Sequence, residues 1–153
     1  MSDIDTAAQG AEAMAVESQQ PENFPLAVAA GVGAAIGGAL LWALVTVVTN
    51  MELGIIAIAI GYIVGQAIKA VGHGRSQKFG ILGAVCGLVG CALGSLLSYL
   101  AFYADAMHVG YVDVLGMLNV SLIERLMSAF FSPIDLIFYA IAVYEGYRFS
   151  FHK

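Results

Sequence analysis

The chain of 153 residues is 60% hydrophobic and only 11% charged, and its mean hydropathy is +0.86. Soluble domains carry about 25% charged residues, so this composition indicates an integral membrane protein with one compact domain. Nucleic-acid binding requires clustered Lys and Arg, and the six that are present are scattered along the chain, which excludes that class of protein.

The net charge of -5 originates in the N-terminal segment, residues 1–24, which contains five acidic residues and neither Lys nor Arg. This segment is rich in Ala, Gln, Glu and Ser, a composition that buries no core, and it predicts a disordered acidic tail. A secretory signal would start with basic residues and have a shorter apolar region of about 7 to 15 residues. We therefore expect the first apolar stretch to be retained as a membrane span.

Four stretches are apolar enough to form transmembrane helices, for which roughly 20 residues are needed. They cover residues 26–48, 53–71, 79–103 and 133–149. The last is short, but its tyrosines fit the aromatic belt at a membrane interface. Residues 25–153 are thus predicted to form an all-α domain with four transmembrane helices.

The segment between the third and fourth spans, residues 104–132, is too polar to cross a bilayer. Within it, Leu122, Leu126 and Phe130 recur at helical spacing, with charged residues elsewhere on the wheel. This pattern predicts an amphipathic helix that lies in the plane of the membrane.

The basic residues predict the orientation of the spans. Lys69, Arg75 and Lys78 cluster between spans two and three, and Arg148 and Lys153 are at the end of span four. The positive-inside rule places both regions in the cytoplasm. The N-terminal tail and the C-terminus are then cytoplasmic, and residues 104–132 lie on the outer face.

Glycines recur at four-residue spacing along the first three spans, as Gly-xxx-Gly pairs that let helix backbones approach closely in lipid. The predicted packing residues are Gly33, Gly37, Gly61, Gly65, Gly83, Gly87, Gly90 and Gly94. They predict a compact glycine-rich bundle and association with a second copy or another membrane protein. Span four has only Gly146, so we expect it to pack more loosely than the other three.

An internal repeat is a further hypothesis. Residues 52–59 match residues 135–142 at five positions, and Gly33, Ala34 and Gly37 match residues 83, 84 and 87. Two repeated helical hairpins in series would be related by an axis along the membrane normal. The alternative is chance similarity, because apolar segments use few residue types.

Three sites have the sequence of a helix N-cap: Thr49 with Glu52, Ser121 with Glu124, and Ser132 with Pro133 and Asp135. Capping explains the two acids at span ends, Glu52 and Asp135, although an outer vestibule for a proton or cation is the competing interpretation. Polar residues inside the spans have the same two explanations, hydrogen bonds between helices or a transport pathway. The candidate polar site therefore comprises Glu52, Tyr62, Gln66, Asp135 and Tyr139.

Catalytic and metal-binding patterns are not found in the sequence. It contains no catalytic triad order, nucleophile elbow, P-loop, HExxH or CxxC. Its three histidines fall in separate segments, and Cys86 and Cys91 read as small packing residues of one helix. We predict no enzyme activity, no catalytic residue, no metal and no cofactor.

Several segments carry a resemblance to known proteins: residues 42–46, ELGIIAIAIGYIVG at 52–65, KFGILG at 78–83, and SPIDLIFYAIAVYEGYRFSF at 132–151. Together they resemble a widespread group of small bacterial inner-membrane proteins that has no assigned activity. The resemblance implies a four-helix architecture in the bacterial inner membrane and transfers no functional residues.

The sequence is consistent with two main functional hypotheses. The first is a non-enzymatic scaffold or accessory subunit that assembles through its glycine-rich helix faces. The second is an oligomeric transporter or channel for a small solute or ion, with the pathway near the candidate polar site. A weaker third hypothesis, an enzyme acting on lipid or isoprenoid substrates, lacks an acid–base pair.

Overall fold

The structure is a computed structural model that describes residues 2–19, 21–50, 54–130 and 132–151. Its regular elements in these ranges are all helices, which are, in chain order, α1 (Ser2–Gln19), α2 (Phe24–Thr49), α3 (Ile55–Gly72), α4 (Gln77–Met107), α5 (Tyr111–Gly116), α6 (Val120–Phe130) and α7 (Pro133–Phe149). Helices α2, α3 and α4 are long and apolar enough to cross a membrane, and α7 reaches that length only together with α6, from which it is sharply bent. The protein is therefore all-helical with three to four candidate spans.

The predicted span boundaries agree with α2, α3 and α7 to within two residues. Helix α4 is longer than predicted and continues past residue 103 to Met107. Ala104 and Ala106 favour a helix there, and the helix ends at His108, which adopts the left-handed conformation (φ 55°).

Helix α1 differs from the disorder predicted for residues 1–24. Residues 2–19 are helical, the side chains between Ile4 and Ala15 are all exposed, and α1 contacts no other helix in the described part of the chain. Ala, Gln, Glu and Met have high intrinsic helix propensity, which is sufficient for local helix where no tertiary contact competes. The segment lacks an apolar face, so nothing docks it onto the bundle.

Four helices form the bundle, with α3 and α4 in contact at its centre. Helix α2 packs against α3 and α4 on one side, and α7 packs against the same two helices on the other. Between described residues, α2 and α7 do not meet. A two-fold repeat of hairpins would convert the α3–α4 contact into an α7–α2 contact, so the packing does not show that symmetry and the repeat stays a prediction.

The closest helix approach is the crossing of α3 and α4 with α7. A Cβ atom added at Gly61 would overlap the backbone carbonyl of Ala142, and one added at Gly83 would overlap the carbonyl of Gly146. Small residues let these backbones come into direct contact. The expectation that span four packs loosely is therefore wrong, because Ala142 and Gly146, one helical turn apart, supply the small surface that α3 and α4 need.

Six of the eight predicted packing glycines contact a neighbouring helix within the chain, and Gly33 and Gly37 do not. Both are exposed, and a Cβ atom added at either would meet nothing within 4 Å. Helix α2 instead packs through Gly31 against Ile68 and through Gly38 against Ile60. A helix turns 100° per residue, so Gly31 and Gly33 point to opposite sides, and the choice between them depends on the bundle.

The start of α2 is tied to the loop between α3 and α4. The Asn23 amide donates to the Gly72 carbonyl at 3.0 Å, and the Arg75 amide donates to the Glu22 carboxylate at 2.8 Å. Phe79, which is buried, packs edge-to-face against Phe24 with ring centroids 5.5 Å apart. This end of the bundle carries most of the basic residues, and we call it the basic end.

At the opposite end, helices α5 and α6 fold back onto α4. A second, smaller core forms there around Tyr99, Leu100, Val114 and Leu126. Helix α6 matches the predicted amphipathic helix, with Leu126 buried, whereas α5 was not predicted from the sequence. The cap of α6 also differs: the Asn119 side chain accepts from the Leu122 amide at 2.8 Å, so Asn119 and not Ser121 begins the helix.

The glycine contacts predict opposite effects for one substitution at two kinds of position. Gly61→Ala and Gly146→Ala should lower the free energy of unfolding by about 1 to 3 kcal/mol, because the added methyl group overlaps backbone that cannot move aside. Gly33→Ala and Gly37→Ala should leave stability unchanged or raise it by up to about 1 kcal/mol through helix propensity. Unfolding in detergent followed by circular dichroism measures both, and equal effects at the two pairs would contradict the packing.

Candidate functional site

A group of polar side chains is buried along α4, where α2 packs on one side of that helix and α7 on another. It consists of Trp42, Thr46, Ser95, Ser98 and Tyr139, and we call it the hydroxyl cluster. Helical spacing places Trp42 and Thr46 on one face of α2, and Ser95 and Ser98 on one face of α4. Tyr139 reaches them from the first half of α7.

The first contact in the cluster joins α2 to α4. The Ser98 hydroxyl lies 3.2 Å from the Thr46 hydroxyl and 2.9 Å from the carbonyl oxygen of Gly94. A serine hydroxyl has one hydrogen to donate, so both bonds form when Ser98 donates to Gly94 and Thr46 donates to Ser98. Both side chains are fully buried, and this pair satisfies them without water.

The second contact joins α7 to α4. The Tyr139 hydroxyl lies 2.6 Å from the Ser95 hydroxyl and 3.4 Å from the carbonyl oxygen of Cys91. Tyr139 is 8% exposed and Ser95 is 1% exposed, so the bond is shielded from solvent. A short buried hydrogen bond between helices fixes their relative rotation, because a turn of either helix would break it.

Trp42 is the chain's single tryptophan and lies one helical turn before Thr46 on α2. It is 2% exposed, and its ring covers Gly94, where an added Cβ atom would meet Cε3 at 2.9 Å. Its indole N–H has no acceptor within the described residues. Leaving a buried donor without an acceptor lowers the stability of the fold by about 1 to 3 kcal/mol. The Trp42 N–H is therefore the group of the cluster that could still donate a hydrogen bond.

The structure does not bring the predicted polar site together. Asp135 forms a capping box with Ser132, whose amide donates to the Asp135 carboxylate at 2.8 Å, which confirms the capping interpretation. Tyr139 belongs to the hydroxyl cluster, one turn further along α7. Glu52, and with it the proposed Thr49 box, lies outside the described residues; Thr49 ends α2 and donates to the Val45 carbonyl at 2.7 Å.

Tyr62 lies near the middle of α3, and Gln66 lies one helical turn closer to the basic end. Tyr62 is 47% exposed and packs edge-to-face against Phe149, with centroids 5.1 Å apart. Gln66 is half-buried, and neither side chain makes a hydrogen bond to another helix in the described ranges. The expectation of buried interhelical hydrogen bonds at these two positions is wrong, since the face they share is turned partly outward.

The hydroxyl cluster contains hydroxyls, carbonyls and one indole, and all of them are neutral. Such groups can hydrogen-bond a neutral solute or lock helices together, and they do not provide a general acid and base. Across the described residues no three His, Cys, Asp or Glu side chains are close enough to hold a metal ion. Sequence reasoning found Tyr139 and missed Thr46 and Trp42; their four-residue spacing is the signal that could have linked them.

No protein family, curated protein or solved structure matches this chain. Function is therefore inferred from the contacts and the surfaces of the chain itself.

The hydroxyl cluster predicts the effect of removing one oxygen atom. Tyr139→Phe should lower the free energy of unfolding by about 0.6 to 1.7 kcal/mol, the average and the maximum measured for hydrogen bonds between membrane helices. Trp42 fluorescence reports the change because the cluster holds the only tryptophan. Tyr144→Phe is the matched control, since Tyr144 is exposed and its hydroxyl accepts from Arg148 of the same helix. An effect as large at Tyr144 would contradict the role of Tyr139.

Proposed function

We propose that this chain is a non-enzymatic integral membrane protein, a scaffold or accessory subunit, that associates through an outward face of α2. Ala29, Gly33 and Gly37 form this surface, which we call the Gly33 face. The observation that carries the proposal is the open space beside both glycines, on a helix whose other glycines are covered by α3. The chain thus has bare backbone on its lipid side that its own fold does not use.

Backbone exposed at small residues can mediate helix association in lipid. Because lipid tails are as apolar as the helix surface, helices associate where small residues allow van der Waals contact between backbones. The three residues recur every four positions, so they form one shallow stripe along two turns of α2. A second copy of the chain offers the same stripe, and two identical stripes can pack across a two-fold axis.

The proposal includes a membrane topology. Helix α7 is the fourth span, supported by its contacts with α3 from Gly54, beside Phe138, to Gly65, beside Phe149. The basic end then faces the cytoplasm by the positive-inside rule, together with both termini. The resemblance to small bacterial membrane proteins supports the inner membrane as the location.

Leucine at the Gly33 face tests the assembly. Gly33→Leu and Gly37→Leu should convert an oligomer into a monomer without loss of the fold, because both side chains would point into open space. Mass measurement of the protein in detergent, by light scattering after size exclusion, reads the outcome.

The control is Ala59→Leu, a similar increase in size on the exposed side of α3. A wild-type protein that is monomeric and has no membrane partner, or an oligomer that survives both leucine substitutions, would overturn the proposal.

The alternative is an oligomeric transporter or channel for a small solute or ion. The observation that favours it is the hydroxyl cluster, where the Trp42 N–H is left as a free donor within the apolar bundle. A neutral solute could accept that hydrogen bond while it exchanges bonds with Ser95, Ser98 and Tyr139. Four helices enclose little space, so a pathway would require several copies.

Proteoliposome flux tests the alternative. Trp42→Phe and Tyr139→Phe should each reduce flux of a neutral solute such as glycerol or urea by about tenfold if the cluster binds it, which is the effect of about 1.4 kcal/mol. Tyr144→Phe again serves as control. Flux that equals that of protein-free vesicles would remove this function.

A further inference from the structure

A groove of about 550 Å³ lies between α2 and α4, towards the end of the bundle that carries α5. Its walls are apolar: Ala43, Leu44 and Val47 on α2 face Leu97, Ala101 and Phe102 on α4. The volume falls within the range of about 300 to 1,000 Å³ typical of ligand sites. The walls are built from helices that qualify as membrane spans, so hydrocarbon is the medium around the groove.

The end of the groove near α5 is polar and electronegative. Asn50 and Asp105 line it there, and none of the groove's lining residues is Lys or Arg. Helices α2 and α4 run in the same direction, as the contacts of Gly31 with Cys86 and of Thr46 with Ser98 show, so both C-terminal ends flank this region. The C-terminal end of a helix carries a partial negative charge, which adds to the charge of Asp105.

Tyr111 joins this end of the groove from α5. Its hydroxyl donates to the Leu97 carbonyl at 3.2 Å, which holds α5 against α4 beside the groove. Burial raises the pKa of the Tyr111 phenol above its ordinary value, so the group remains neutral at physiological pH. The negative charge at the groove therefore comes from Asp105 and the two helix ends.

We infer that this groove binds one membrane phospholipid whose headgroup carries a primary ammonium group. A hydrocarbon chain fills the space between α2 and α4, and the ammonium group lies at Asp105. A primary ammonium has three hydrogens to donate, to the Asp105 carboxylate, to the oxygen of Asn50 and to the carbonyl groups at the helix ends. A headgroup with net negative charge would be repelled, and a quaternary ammonium has no hydrogen to donate.

Charge also argues against a second copy of the chain as the occupant. Lys69, Arg75, Lys78 and Arg148 all lie at the basic end or in the turn of α7 that approaches it. Arg125 lies at the same end as Asp105, but it is on α6, where Glu124 precedes it. A second copy in the same orientation would bring no Lys or Arg from its spanning helices to Asp105. The groove shares no residue with the Gly33 face, although on α2 it begins at Leu40, one turn beyond Gly37 and on the same side of the helix. Gly33→Leu therefore tests the Gly33 face, and Asp105→Asn tests the groove.

Lipid selection by the purified full chain tests the inference. The protein is equilibrated with vesicles of equal parts phosphatidylethanolamine, phosphatidylcholine and phosphatidylglycerol with identical acyl chains, and the retained lipid is identified by native mass spectrometry. Phosphatidylethanolamine should be retained about two to five times more than either other lipid. Asp105→Asn should abolish that preference, and Ala101→Leu, which fills the groove, should reduce the total retained lipid by at least about half.

Two matched controls belong to the test. Asp113→Asn removes an exposed acid of α5 that does not line the groove, and Ala59→Leu adds the same bulk on α3 outside it; both should behave as wild type. Equal retention of the three lipids, or an Asp105→Asn protein that keeps the preference, overturns the inference. A change of oligomeric state in Ala101→Leu without a change in retained lipid would assign the groove to a second copy instead.

Discussion

Direct backbone contact between α7 and the α3–α4 pair is the constraint on which the rest of the structure depends. At Gly61, Gly83 and Gly146 a side chain would occupy space that the neighbouring backbone already fills. Glycine at these positions lets the helices approach this closely, and the helix spacing is fixed there. Since lipid provides no hydrophobic drive between helices, this close contact is what makes the arrangement favourable.

The close helix spacing also allows hydrogen bonds between side chains further along the same helices. Serine and threonine have short side chains, and Thr46 reaches Ser98 only where α2 and α4 are closely packed; Tyr139 then spans the remaining distance to Ser95. In an apolar medium these bonds are satisfied within the bundle and hold the helices at one rotation. The hydroxyl cluster is thus first a structural lock, and its single unpaired donor on Trp42 is the feature that packing alone does not explain.

The two proposals use different consequences of the same packing. Six of the eight glycines predicted from the sequence pack against a neighbouring helix of the bundle. Gly33 and Gly37 face outward, where they are available for the proposed self-association. The groove arises because α2 ends at Asn50 while α5 folds back on α4 beside it, so that apolar walls end at two helix C-termini and a carboxylate. The sequence contains Gly33 and Gly37 as one Gly-xxx-Gly pair among several, and only the packing shows that this pair faces outward. The groove is not visible as a motif, since it combines residues from segments that are far apart in the chain.

The sequence by itself determined the all-helical class and the positions of α2, α3 and α7 to within two residues, because apolar length and helix breakers are local properties. It also predicted the amphipathic character of α6 and the capping role of Asp135. Only the tertiary structure decided that Gly31 and Gly38 pack while Gly33 and Gly37 do not, and that α7 makes the closest contacts of the bundle. It also decided that Tyr62 is exposed beside Phe149 whereas Tyr139 is buried against α4. The physical reason is that a glycine or a polar residue acquires its role from the helix that covers it. In a chain that is apolar on nearly every side, periodicity does not say which face will be covered.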